Sequence, residues 1–153
     1  MNLSNTGTSS IWMAFARIAV GIMFLFFAQY KLLHRDFAYG GYEKYVSGYV
    51  NETAVDFYRP FLKKTLEHPH LSGYAVGIAE LLIGLSMLLG WWTRVFSVAG
   101  ALFMLNLTLA TWKLPPGSAY WRYLGNELDN IPLLMLFILF IAHNAGSTLG
   151  MDK

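Results

Sequence analysis

Residues 73–94 read GYAVGIAELLIGLSMLLGWWTR, a stretch that is apolar from Ala75 to Trp92 except for Ser86 and Glu80. It is long enough to cross a bilayer as a helix, which takes roughly 20 residues. A carboxylate inside a bilayer is costly unless it faces the protein interior and finds a partner there. The stretch therefore predicts a membrane-spanning helix whose one acid, Glu80, points towards the rest of the protein.

Three glycines of this helix lie near one face, because spacings of four and seven residues return to the same side of a helix. They are Gly73, Gly77 and Gly84, and Glu80 lies between the last two. Small residues let membrane helices approach closely. This face is therefore the predicted packing surface of the bundle.

Composition also points to a membrane. Of 153 residues, 56% are hydrophobic and only 13% are charged, and the mean hydropathy is +0.43. Soluble domains usually have about 25% charged residues. The length suits a single membrane domain over residues 1–153, and the net charge of +2 is too small to predict a nucleic-acid partner. Because the chain has no cysteine, it has no thiol nucleophile and no cysteine ligand for iron–sulfur or zinc sites.

The apolar segments predict an all-α integral membrane protein, a bundle of four transmembrane helices. Their approximate bounds are 11–33, 74–92, 95–112 and 130–144. The last has only about 15 residues without charge, which is short for a full span. The longer connections then share one side of the membrane, and most Lys and Arg residues lie on that side. The positive-inside rule favours a cytoplasmic location for it.

The longest connection, residues 34–72, carries its own helical pattern. Tyr42, Val46 and Tyr49 recur on one face, and a similar apolar pattern runs from Val55 to Leu66. The pattern predicts one or two short amphipathic helices, which either cap the bundle or lie on the membrane.

Polar residues near this side form the first predicted constellation. At 1.5 Å per helical residue, their depths bring together Lys31, Glu80, Asn106 and Asn130, with Glu80–Lys31 as a charged pair. Two interpretations remain open. These groups satisfy one another and fix the helix register, or they form a proton relay or a pocket for the head group of a quinone-like ligand.

A second constellation lies at the opposite side. Arg17 or Arg94 is predicted to pair with Asp152 and so to pin the C-terminal tail, with Arg17 snorkelling to the surface. We interpret this cluster as structural. No catalytic residue and no metal site are predicted, because His34 and His143 fall at opposite sides and His68-Pro69-His70 completes no zinc pattern.

The segments RIAVGIMFLFFAQYKLL, GIAELLIGLSMLLGWWTR and AGSTLGMD together resemble the DoxX-like family of small four-helix membrane proteins. Arg17, Gly21 and Lys31 match in the first segment, and Glu80, Gly84, Gly90 and Arg94 match in the second. That family is named through its similarity to a small subunit of thiosulfate:quinone oxidoreductase. The resemblance implies the four-helix fold, a bacterial cytoplasmic (inner) membrane location and a link to redox or sulfur metabolism.

The expected function is therefore that of a small membrane subunit, surrounded by lipid, which anchors partner subunits of a quinone-linked redox complex. The isolated chain is expected to be non-catalytic and to bind no cofactor alone, although quinone, lipid or a pigment shared with a partner are candidates. The alternative is a cofactor-free structural accessory subunit at the periphery of a large respiratory or photosynthetic complex. A standalone transporter or enzyme is the third interpretation and the least favoured, since four helices with one buried acid provide little machinery for alternating access.

Overall fold

A computed structural model describes residues 5–114, 117–119, 121–122 and 129–152, with side chains from residue 10 onward. Every regular element in these residues is helical. The helices are α1 Asn5–Leu33, α2 Tyr42–Glu52, α3 Arg59–Thr65, α4 Pro69–Leu89, α5 Thr93–Thr111 and α6 Asn130–His143. A π-helical turn, Phe37–Gly41, precedes α2, and a 3-10 turn, Asp56–Tyr58, precedes α3.

Three helices are long and apolar enough to cross a membrane. Within α1 the span is Ser10–Leu33, and the others are the whole of α4 and of α5. The segment predicted as the fourth span forms the apolar helix α6, which is not one of these three. It has only 14 residues, which correspond to about 21 Å against a hydrocarbon core of about 30 Å.

Helix boundaries differ from the predicted ones where capping residues determine them. Helix α4 begins at Pro69 rather than at residue 74, because proline is favoured in a first helical turn. It ends at Leu89 rather than at 92, because Gly90 adopts a left-handed conformation (φ 65°) and its N–H bonds to the carbonyl of Ser86. Helix α1 begins six residues before the predicted start at Ile11.

Helices α1 and α4 pack antiparallel along the predicted glycine face. A Cβ atom on Gly21 of α1 would lie 2.7 Å from the backbone nitrogen of Leu88, and one on Gly84 would lie 2.9 Å from Leu25. Gly77 meets Leu32 in the same way, whereas Gly73 faces the π-helical turn. The two backbones therefore approach closely because neither carries a side chain at the crossing.

Helices α5 and α6 form a second antiparallel pair, in which the ring of Phe137 occupies the space beside Gly100. Aromatic packing joins the two pairs. The ring centroids of Phe24 and Phe137 lie 5.5 Å apart, edge to face. The shared core consists of Val20, Phe24, Ile83, Met87, Met104, Phe137, Phe140 and Ala145.

Residues 34–68, which we name the cap, fold onto the bundle rather than away from it. A second apolar core contains Phe37, Tyr42, Val46 and Leu62 from the cap together with Ala110 of α5. Between α2 and α3, the buried hydroxyl of Thr53 donates to the carbonyl of Leu109 at 2.9 Å. We name the covered end of the bundle the cap end. The opposite end, with the α4–α5 hairpin and residues 144–152 (the tail), is the tail end.

Candidate functional site

The central contact at the cap end joins the end of α1 to the middle of α4. The Lys31 ammonium donates to Oε1 of Glu80 in an ion pair. The Glu80 side chain is 2% exposed and that of Lys31 is 20% exposed, so the carboxylate is almost fully enclosed while the lysine keeps some exposure. The ammonium also lies 5.3 Å from the ring centre of Phe37, within cation–π range.

The other two predicted members of this cluster make different hydrogen bonds. Oδ1 of Asn106 accepts from the hydroxyl of Tyr58, which belongs to the cap. Asn130 donates through Nδ2 to Oγ1 of Thr111 at 3.0 Å. The structure therefore brings Lys31 and Glu80 into contact, while Asn106 and Asn130 each join a different pair of elements.

A cavity of about 460 Å³ lies between the cap and the bundle, and we name it the cap-end cavity. Lys31 and Asn106 line it, whereas Glu80 and Asn130 do not. Its wall also has tyrosines from α1 and α2, and apolar residues that include Leu62, Val76 and Phe103. Ligand pockets typically have volumes of about 300–1,000 Å³ and apolar walls with a few polar groups, and this cavity has both properties.

Tyr58 keeps its proton under ordinary conditions. Burial, and after it the neighbouring Tyr42, raises the pKa of the Tyr58 hydroxyl above its usual value. The hydroxyl therefore stays a neutral donor to Asn106 throughout the physiological pH range. It is a fixed connection from the cap to α5.

At the tail end, Arg17 is completely buried rather than snorkelling to the surface. Its guanidinium donates to the carbonyls of Met87 at 2.6 Å and Leu149 at 2.9 Å. The surface prediction is wrong because the end of α4 and the tail enclose the guanidinium, which therefore meets backbone carbonyls instead of the surface. Space for the guanidinium comes from Gly90, where a Cβ atom would lie 2.5 Å from Nη1.

Asp152 pins the tail in a different way from the predicted ion pair. Within the described chain, it forms no salt bridge with Arg17 or Arg94; its two oxygens accept from the backbone N–H groups of Trp92 at 2.6 Å and Thr93 at 2.7 Å. Orphan N–H groups at a helix N-terminus attract a carboxylate strongly. Arg94 instead donates through Nε to the carbonyl of Ile141 at 3.3 Å.

Comparison with known families gives one match. The family model described as DoxX matches residues 12–112. This chain belongs to the DoxX family. No curated protein and no solved structure matches the chain.

The match confirms the resemblance drawn from the sequence motifs, but it covers a different part of the chain. In this DoxX protein the match includes the cap, which the motifs had left out, and it ends at residue 112. Helix α6 and the tail motif AGSTLGMD therefore lie outside it. Lys31, Glu80 and Asn106 all fall inside the matched region, as do all the residues that line the cap-end cavity.

The sequence patterns do not predict the polar contacts that hold the cap of this DoxX protein in place. Thr53 and Arg59 fix the turn between α2 and α3, and the guanidinium of Arg59 donates to the carbonyl of Thr53 at 2.7 Å. Tyr58 had been assigned only to an apolar face. Its spacing in the apolar pattern shows which side of the helix it lies on, but nothing in the sequence identifies Asn106 of α5 as its hydrogen-bond partner.

Proposed function

We propose that this DoxX protein is a small subunit of a quinone-linked redox complex in the bacterial cytoplasmic membrane. In this proposal it anchors partner subunits, α6 forms the fourth transmembrane helix, and the cap-end cavity holds a quinone-type ligand. The observation that carries the proposal is the cavity itself, where Lys31 and Asn106 lie in an otherwise largely apolar and aromatic wall.

The donors of the cavity suit a quinone. A quinone presents two carbonyl oxygens, which accept hydrogen bonds, and an apolar chain. An ammonium has three N–H donors, and Lys31 uses one of them on Glu80. The amide nitrogen of Asn106 has no hydrogen bond within the described chain, since the contact with Tyr58 uses the oxygen. Both groups therefore have donor capacity towards the cavity.

The chain supports binding and anchoring better than electron transfer. It has no cysteine to hold an iron–sulfur cluster, and electrons would reach the quinone from a partner subunit. Large apolar side chains, among them Trp12, Phe26 and Leu102, are exposed on the outward faces of the long helices. Such faces fit lipid or the helices of partner subunits.

The test is extraction in mild detergent, identification of copurifying subunits and quantification of bound quinone. We expect redox subunits and about one quinone per chain with the wild type. Lys31→Met should lose the quinone, while Lys44→Met, which changes an exposed lysine of α2, should retain it. Purification without any redox partner or quinone would contradict the proposal.

The second candidate is a cofactor-free structural accessory subunit of a large membrane complex. It is favoured by the fact that Glu80, Asn106 and Asn130 each have a partner within the protein. Glu80→Gln separates the two candidates. Normal assembly with lost quinone-dependent turnover supports the first, and lost assembly supports the second.

A further inference from the structure

We infer that Glu80 determines the class of ligand in the cap-end cavity. By neutralising Lys31, it makes the cavity selective for uncharged amphiphiles with hydrogen-bond-accepting oxygens and against anionic amphiphiles such as fatty acids. The inference rests on the proposed ligand-binding function and deepens it.

The charged groups at the cavity wall balance each other. Among the described residues that line the cavity, Lys31 is the only one with a charged side chain. Its ammonium is already in contact with the Glu80 carboxylate, so the ion pair contributes no net charge. An anionic head group therefore meets no uncompensated positive charge at the wall.

Glu80 lies buried outside the cavity wall, where a ligand does not reach it. The carboxylate is almost completely buried and does not line the cavity, so a ligand cannot displace it into solvent. Its second oxygen, Oε2, is buried and has no hydrogen-bond partner in the described part of the chain. If Lys31 turned to an incoming anion, Glu80 would remain as an unpaired buried charge, which is strongly unfavourable.

Some hydrogen-bond donors of the cavity wall are already used within the protein, and others remain for a ligand. The hydroxyls of Thr65 and Ser72, which also line the cavity, already donate to the carbonyls of Leu62 and Thr65 at 2.8 and 2.9 Å. The spare N–H groups of Lys31, the amide of Asn106 and the hydroxyls of the tyrosines in the wall are left for the ligand. They suit neutral carbonyl or ether oxygens, because binding these leaves the Lys31–Glu80 pair intact.

The experiment compares two probes of similar apolar length on the purified full-length protein in neutral-lipid nanodiscs. The probes are a decyl-substituted benzoquinone and dodecanoate. The wild type should bind the benzoquinone at least about tenfold more tightly than dodecanoate. Glu80→Gln leaves Lys31 uncompensated and should increase dodecanoate affinity by about tenfold or more. Glu67→Gln, which changes an exposed acid away from the cavity, should leave both affinities unchanged.

Two further variants keep the test decisive if Glu80→Gln does not fold. Thr65→Lys adds an uncompensated cation at the wall while the Lys31–Glu80 pair stays intact, and it too should increase dodecanoate affinity. The C-terminal end of α3 tolerates a positive charge, since it already carries Lys63 and Lys64. Lys31→Gln combined with Glu80→Gln leaves an uncharged wall and should exclude dodecanoate as the wild type does.

The outcomes separate this inference from the proposed function. A wild type that binds the benzoquinone, with folded variants whose dodecanoate affinity does not change, overturns the inference and leaves the proposed function standing. A wild type that prefers dodecanoate also overturns the inference. Failure of the wild type to bind either probe contradicts the proposed ligand site, and the inference falls with it.

Discussion

Asp152 accepts a hydrogen bond from the backbone N–H of Thr93 at 2.7 Å, across 59 positions of the chain. Thr93 is the first residue of α5, and the preceding residue, Trp92, has no side-chain oxygen and adopts a left-handed conformation (φ 50°). The α4–α5 hairpin therefore does not supply its own N-cap. The tail supplies it, and the backbone N–H of Asp152 also bonds to the carbonyl of Gly90 at 2.8 Å.

The first prediction concerns this cap. Asp152→Ala removes the acceptor of two helix N-terminal N–H groups and should lower the free energy of unfolding by about 1–2 kcal/mol. Denaturant unfolding in detergent micelles measures the change. Glu67→Ala is the matched control, because Glu67 is exposed and its side chain has no hydrogen bond in the described chain. A loss no larger than the control's would contradict the capping role.

The second prediction concerns the buried arginine and the tail. Arg17→Lys and deletion of residues 149–153 each remove the hydrogen bond to the carbonyl of Leu149. The combined variant should therefore lose less stability than the sum of the two changes, by about 1 kcal/mol. Arg94→Lys is the control, since the hydrogen bond of Arg94 goes to Ile141. Its loss of stability should simply add to the loss caused by the deletion. Additive losses for Arg17→Lys as well would show that the contact with the tail contributes little.

The sequence predicts contacts between long helices better than contacts that involve the cap or the tail. Lys31 and Glu80 lie in apolar helices whose depth can be counted, and few partners exist at that depth. The partner of Asn106 is Tyr58, whose position depends on the turn before α2, where Gly40 has a φ of 139°. No periodic pattern encodes such a turn.

The interpretation of Arg17 failed for a related reason. Arg17 does lie at the tail end, beside Gly90, which follows the last residue of α4, but the tail covers it there. The helix packing face was predictable because glycine spacing reports it directly, whereas carbonyl acceptors such as Met87 and Leu149 carry no side-chain signal.

The third prediction tests the close approach of α1 and α4. Gly21→Ala would place a Cβ atom 2.7 Å from the backbone nitrogen of Leu88, which cannot move without shifting α4. We expect a loss of about 1–3 kcal/mol in the free energy of unfolding. Gly48→Ala is the matched control, because Gly48 lies inside α2 and a Cβ atom added there would have no neighbouring atom within 4 Å. That change should stabilise the protein by up to about 1 kcal/mol. Equal effects at the two positions would refute close packing at Gly21.

The fourth prediction concerns the cap and alkaline pH. Burial raises the pKa of the Tyr58 hydroxyl above its ordinary value of 10.0, so the folded protein retains a proton that the unfolded chain releases. This difference in pKa stabilises the folded protein. The stabilisation is fully present below pH 10.0 and is lost as the pH rises through the higher pKa of Tyr58 in the folded state. Burial also raises the pKa of Tyr49, which adds to the same trend.

Tyr58→Phe separates the contribution of this hydroxyl. At neutral pH the variant should lose about 1 kcal/mol, because Oδ1 of Asn106 loses its donor. Above about pH 10 its stability should fall less steeply than that of the wild type, since one of the titrating hydroxyls is gone. Unfolding measured at closely spaced pH values from neutral to strongly alkaline gives both quantities. Tyr39→Phe, at an exposed position of the π-helical turn, provides the baseline for removing a tyrosine hydroxyl. Parallel curves for wild type and Tyr58→Phe would show that Tyr58 ionises no differently in the folded and unfolded states.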